Sequence, residues 1–401
     1  MATVLPPEIE TEILLCLPAK SLQRFTAVCR LWHSVITSST FIATFNHRAS
    51  LHPQLLLLKH PYPHLHRLLS PSLTTIHFSL SSDSFLELTS LKVPHKSHHP
   101  VDDDDDNDRM RPTRVELVTS NSINGILCVL VHKGLSEGMV IDCDLFLWNP
   151  STSESLKVPS STITGLFSGP PMVKFYCGFG FGDGDYKVIR VLDSVQLIAE
   201  VYSLRENCWR KISGSDISSN ILWASSTCTF VDGVGYWGAY RRERKDKFFV
   251  LGFDFETERF EKIKTPIECV DGDEMRYHSL WVYRGMLAIS VLRFGEFESR
   301  VTRHYIWVMM GDEGLDDKHK NWCRLFNIDL EGGPRKPMAT LGNGEVLLLG
   351  EDDGEHALYD PESEQVRRVD VFDVDAVASY VESLVSFGML IGTAEVAVSL
   401  D

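Results

Sequence analysis

The sequence predicts a mainly β protein carrying a small amino-terminal α module. Helical spacing of apolar residues is confined to about the first 40 positions. From about residue 120 onward, short apolar runs instead alternate with Gly, Asn and Asp turns. A third observation, a repeat of roughly 50 residues, organises the β part into radially packed sheets.

The helical module opens at Pro6 and Pro7, which fit a first helical turn where a missing N–H is harmless. Glu8, Glu10 and Glu12 suit the positive end of that helix. Ile9, Ile13, Leu14 and Leu17 share one face, and Pro18 ends the run. A second helix is expected near Ser21, a cap, with Leu22, Phe25 and Val28 on one side. A third starts at about Arg30, carries Leu31, Trp32, Val35 and Ile36, and fades into TSSST before Phe41. Three helices in so short a span cannot hide all these aliphatics in a core of their own, so some should face a second protein.

The repeat follows. SINGILCVLV with LFLWNPSTSESLKVP forms the first unit, and FYCGFGFGDGDYKVIRV with AEVYSLRENCWRKI the second. FVDGVGYWGAY with FFVLGFDFETERFEKI makes the third. LWVYRGMLAISVL with HYIWVMM and NWCRLFNI makes the fourth, and GNGEVLLLGE with HALYDPESEQVRRV the fifth. A single sheet with two apolar faces needs neighbours on both sides, and sheets set radially about an axis supply them. The expected fold is a kelch-like β-propeller of about six to seven blades, some irregular. Segments within 51–119 and the tail ASYVESLVS would complete it, with the late strand pairing early sequence. The expected division is 1–45 for the helical module, 46–119 for an irregular linker and first-blade region, and 120–401 for the propeller.

Composition narrows the function classes. A formal charge of −16 would repel a phosphate backbone, so no nucleic-acid partner is expected. The chain has nine cysteines, without a C-x-x-C pair, mostly within apolar runs, where they act as small hydrophobes. No apolar run approaches the roughly 18 residues of a membrane span. MATVLPPEIETE is acidic where a secretory leader is basic, so the expected location is the cytoplasm or nucleus, with no membrane partner.

Sites for chemistry are wanting. His95, His98 and His99 stand beside five consecutive aspartates in an acidic stretch, 95–112, that reads as a solvated loop. GFGFGDGD precedes DYKVIRV, a strand and not a helix, so its glycines belong to a turn and not a phosphate cradle. Neither a nucleophile elbow nor an H-E-x-x-H pair occurs. No catalytic residue, cofactor or metal is expected, and the tryptophans read as blade anchors.

Leu5-Pro6, Ile13-Leu14, Leu17-Pro18, Leu22, Val28-Cys29 and Trp32 resemble the F-box pattern in its plant form. NGILC, LWNPST, GFGFGDGDYKVIRV, EVYSLRENCWRKI, FDFETERFEKI and YVESLVS resemble the F-box-associated domain of plant F-box proteins, so the resemblance spans nearly the whole chain. Cys16 and Thr26 depart mildly from it, standing where polar or basic residues are common. The resemblance implies a non-catalytic substrate receptor of a Skp-cullin-F-box ubiquitin ligase. Leu5, Pro6, Ile9, Ile13, Leu14, Leu17 and Pro18 would meet the Skp-type adaptor and, through it, a cullin–RING ligase. Leu22, Val28 and Trp32 would hold the helices together, and the propeller would hold a target protein. Candidate target loops are Ser160–Pro171, Arg241–Asp246, Asp271–Arg276 and Gly311–Lys320. Alternatives are a propeller scaffold without ligase activity, a sugar- or small-molecule-binding propeller enzyme, and a self-incompatibility-type recognition protein.

Overall fold

A computed structural model describes residues 5–51, 53–59, 74–81, 84–92, 114–132, 135–136, 139–140, 143–161, 175–192, 198–212, 221–223, 225–241, 248–266, 278–294, 301–311, 321–331, 335–350, 355–369, 374–391 and 397–398. The acidic stretch 95–112 and nearly all of the four candidate target loops lie outside them.

Four helices open the chain: α1 (Pro7–Leu15), α2 (Ala19–Phe25), α3 (Arg30–Ile36) and α4 (Ser39–Ser50). A fifth, α5 (Phe387–Ile391), lies near the carboxyl end. The sequence suggests only three in the module. The fourth begins where TSSST looks polar because Ser38 caps it, its Oγ accepting from Phe41 N. Phe41 and Phe45, one turn apart, then bury one face. α2 likewise starts at Ala19, ahead of the anticipated Ser21.

Five blades follow in chain order. The first comprises Arg114–Leu117, Leu127–His132, Cys143–Asn149 and Glu154–Lys157, with Ala397–Val398 added at its outer edge. The second is Phe175–Gly182, Asp185–Leu192, Ile198–Ser203 and Cys208–Lys211. The third uses Ile221–Trp223 and Thr229–Val231, then Val234–Arg241, Phe248–Asp254 and Arg259–Ile263. The fourth is His278–Tyr283, Met286–Phe294, Val301–Met310 and Asn321–Glu331, and the fifth is Arg335–Thr340, Val346–Gly350, His356–Asp360 and Gln365–Val369. Five blades are thus continuous in the chain, against the six to seven anticipated, and one further sheet completes the ring by the expected pairing of a late strand with early sequence. The remaining four-stranded sheet is composite: Thr74–Ser81 and Ser84–Lys92 continue from Gln54–Lys59, whose other edge pairs with Val374–Tyr380.

Six apolar seams join these sheets into a closed ring. Leu56, Ala378 and Tyr380 of the composite sheet meet Val115, Leu127 and Trp148 of the first blade. Leu147 meets Phe179 and Val188; Ile189 meets Trp237; Val250 meets Leu287; and Trp281 meets Leu348. Leu347 and Leu358 of the fifth blade then pack on Leu55, Leu57 and Val377, returning to the composite sheet.

The same turn chemistry recurs in the first four blades. Asn124-Gly125, Asp183-Gly184, Asp232-Gly233 and Arg284-Gly285 all have positive φ at both residues, as two-residue hairpin turns require. GFGFGDGD is therefore a hairpin: Gly182 pairs with Asp185 across Asp183-Gly184. At the same end of the blades, the turns ending at Ser153, Asn207, Glu258 and Glu364 have a last residue of positive φ. The side chain before each turn accepts a backbone N–H within it: Asn149 from Ser151, Ser203 from Glu206, Asp254 from Glu256, Asp360 from Glu362.

Candidate functional site

α1 has two faces. Leu14 and Leu15 point inward, into a cluster with Ala19, Leu22, Ile36, Phe41, Phe45 and Leu384. Leu5, Ile9 and Ile13, spaced four apart, remain 48%, 48% and 49% exposed. Glu8 and Glu10 occupy the helix's first turn, and Glu12 pairs with Arg48 of α4 at 2.7 Å, fixing the two helices across an exposed edge. Pro6 and Pro18 are exposed at the N-caps of α1 and α2, and Leu17 is partly buried against the cluster.

The α2–α3 corner presents a second exposed aliphatic group, Val28 at 61% and Leu31 at 56%. Here Cys29 caps α3, its Sγ accepting from Trp32 N at 3.4 Å. That cap turns the Trp32 ring back onto Phe25, with ring centroids 5.2 Å apart. Leu22 is fully buried and Trp32 partly so.

Two sequence expectations change. Leu14, placed on the docking face, is only 3% exposed, because Leu384 and α4 cover its side of α1. Val28, placed in the helical core, sits past the end of α2 and projects outward. Leu31 was missed as a surface residue; its spacing of three from Val28 was the available signal.

The first-blade stretch Val118–Ser122 is bonded main chain to main chain with the third blade and the composite sheet. Cys228 N donates to Val118 O at 2.8 Å, and Ser120 N to Cys228 O at 2.8 Å. On its other side Ser379 N donates to Ser120 O at 2.9 Å, and Ser122 N to Ser379 O at 2.7 Å. Buried His304 lies 2.8 Å from Ser290 Oγ through its Nδ1, and burial lowers its imidazole to about 4. Four tryptophans hydrogen-bond neighbouring structure: Trp209 to Pro159 O, Trp237 to Cys177 O, Trp281 to Thr340 and Trp322 to Lys264 O. Among the described residues, no group of three or more His, Cys, Asp or Glu could hold a metal, and no helix is long and apolar enough to cross a membrane.

Comparison with known families gives this arrangement its name. A family model described as the F-box associated beta propeller domain matches residues 75–387, and the F-box domain model matches residues 3–44. The chain belongs to the F-box-associated β-propeller family. Proteins that combine an F-box with this propeller are typically non-catalytic adaptors. An F-box/kelch-repeat protein of Arabidopsis thaliana is 26% identical over 67% of this chain and 67% of its own length. An F-box protein of the same plant is 27% identical over 80% of this chain and 70% of its own, and a putative F-box protein is 25% identical over 67% and 61%. This F-box propeller chain thus spans about two thirds of the length of these curated relatives. Among solved structures, the β-propeller domain of the Trilobed protease from Pyrococcus furiosus is 12% identical, covering 64% of this chain and 71% of its own, with a TM-score of 0.36.

Proposed function

We propose that this protein is the substrate-recognition subunit of a Skp-cullin-F-box ubiquitin ligase. Its helical module docks on a Skp-type adaptor, and its propeller presents a target protein for ubiquitination and proteasomal degradation. The catalytic groups belong to partner subunits; this chain contributes proximity, raising the effective concentration of a target lysine near the conjugating enzyme. In this reading 1–45 forms the docking module, 46–119 leads into the ring, and 120–401 carries the target-binding domain.

One observation carries the reading: Leu5, Ile9, Ile13, Val28 and Leu31 stay about half exposed or more on a module that buries or partly buries its other aliphatics against its own chain. Covering the open half of one such side chain contributes roughly 1 kcal/mol. The test is co-purification with a Skp-type adaptor, comparing the intact chain with Ile9→Asp/Ile13→Asp. Both positions are on the open face, so the variant should melt like the parent. Each introduced carboxylate would be buried unpaired at the interface, at a cost on the order of several kcal/mol, and adaptor recovery should be lost. Equal recovery of both proteins would overturn the assignment.

A further inference from the structure

One segment, Val381–Ile391, touches both the strand that closes the ring and the helices that begin the chain. It follows Val374–Tyr380 directly, and the first blade's NPST turn grips it from the ring side. Asn149, fully buried, donates through Nδ2 to Ser383 O at 3.1 Å and Val385 O at 2.8 Å. Ser383 N donates to Ser151 Oγ, Phe387 N to Glu154 Oε2, and Val381 N to Ser122 Oγ.

The other side of the segment completes the helical module. Pro18 caps α2 without a side-chain acceptor, and Ala19 N is met by Glu382 Oε2 at 3.2 Å. Leu384 N donates to Asn46 Oδ1 of α4, and the Leu384 side chain is buried in the module's core. Gln23 Nε2 of α2 reaches Thr152 O in the same NPST turn. The module's core therefore contains a residue only four positions beyond the strand that pairs with Gln54–Lys59.

We infer that ring closure and docking of the amino-terminal helices are one coupled event, with Glu382, Ser383 and Leu384 as the coupling element. Linkage makes the effect reciprocal: loosening the closing strand loosens α2 and α4, and loosening those helices weakens the closing strand. The inference stands on contacts within the chain and does not need the adaptor reading.

Hydrogen exchange on the full chain tests it from both directions. Glu382→Ala/Leu384→Ala alters only the segment; amides of α2 and α4 should exchange about tenfold faster or more. Gln23→Ala/Asn46→Ala alters only the helices; amides of Gln54–Lys59 and Val374–Tyr380 should exchange roughly threefold faster or more. Asp185–Leu192 and Phe248–Asp254 should keep parental rates in both, reporting an intact ring. Closing-strand rates unchanged in the second variant would overturn the coupling, as would α2 and α4 rates unchanged in the first. Should the first variant lose protection everywhere, Glu382→Ala alone supplies the gentler perturbation, removing the acceptor for Ala19 N and leaving Leu384 in place. Faster exchange confined to α2 and the closing strand then supports the coupling, and any other pattern overturns it.

Discussion

Lys187 shows how one blade is fastened to the next. Its side chain is buried, yet Nζ leaves the second blade to donate to Phe255 O at 2.7 Å and to pair with Glu258 at 2.9 Å, both in a turn of the third. Glu258 also accepts from Arg210, on the second blade's outer strand. The approach is close: a Cβ on Gly182 would lie 2.4 Å from the Phe255 carbonyl carbon. Lys187→Met keeps the aliphatic stem but removes the donor to Phe255 O, and it leaves Glu258 with Arg210 alone. Stranding one member of a buried pair costs about 3–5 kcal/mol; with Arg210 remaining, about 2–3 kcal/mol is expected here. An unfolding entropy of about 2.1 cal/mol/K per residue over roughly 330 ring residues converts this to a Tm lower by about 3–4 °C. Calorimetry at neutral pH reads that shift directly. Arg303→Ala is the control, because its pair with Asp329 is half-exposed on both sides and solvent screening leaves it little weight. A Lys187→Met protein melting within about 1 °C of the parent, or no lower than the Arg303→Ala control, would refute the reasoning. The acid limb adds a second reading. Burial pushes the Glu258 carboxyl up, but hydrogen bonds from Arg210 and Lys187 outweigh it and leave the group below its usual range. Its stabilisation is present above the unfolded carboxylate value and is lost as pH falls through the folded one, and Lys187→Met should flatten that loss.

Two further outcomes follow from the same geometry. Gly125→Ala should cost about 3 kcal/mol or more in denaturant unfolding, since φ is +79° and a Cβ would lie 2.1 Å from Ser383 Cβ. Gly233→Ala, at φ +81° in open space, should cost only about 1 kcal/mol; equal losses would show that the Ser383 contact is immaterial. His304, lowered to about 4 by burial, binds fewer protons folded than unfolded. Its contribution is full above pH about 6.5 and drains toward pH 4, by up to about 3 kcal/mol. The difference in urea midpoint between parent and His304→Gln should therefore shrink across that window; a constant difference would contradict the burial argument.

Much of the ring was legible because its signals are local. Asp183-Gly184 and Asp232-Gly233 announce hairpins by residue type alone, and the capping side chains Asp254 and Asp360 recur at one place in the repeat. The DYKV string acquires a physical meaning from the structure: Asp185 accepts from Arg205 N and Ser203 Oγ, while Lys187 crosses to the third blade. Which helical residues face outward was less legible. Ile13 and Leu14 are adjacent and chemically alike, and what separates them is Leu384, some 370 positions away. α4 was hidden for a different reason. Its cap is a serine within a polar run, where a side chain that bonds the backbone looks no different from a solvated one.

Val118–Ser122 ties the first blade to the third at Cys228 and to the composite sheet at Ser379, and it does so through main-chain bonds. Because every peptide group can make such bonds whatever side chain it carries, residues along this tie are free to vary while the link between the three sheets persists.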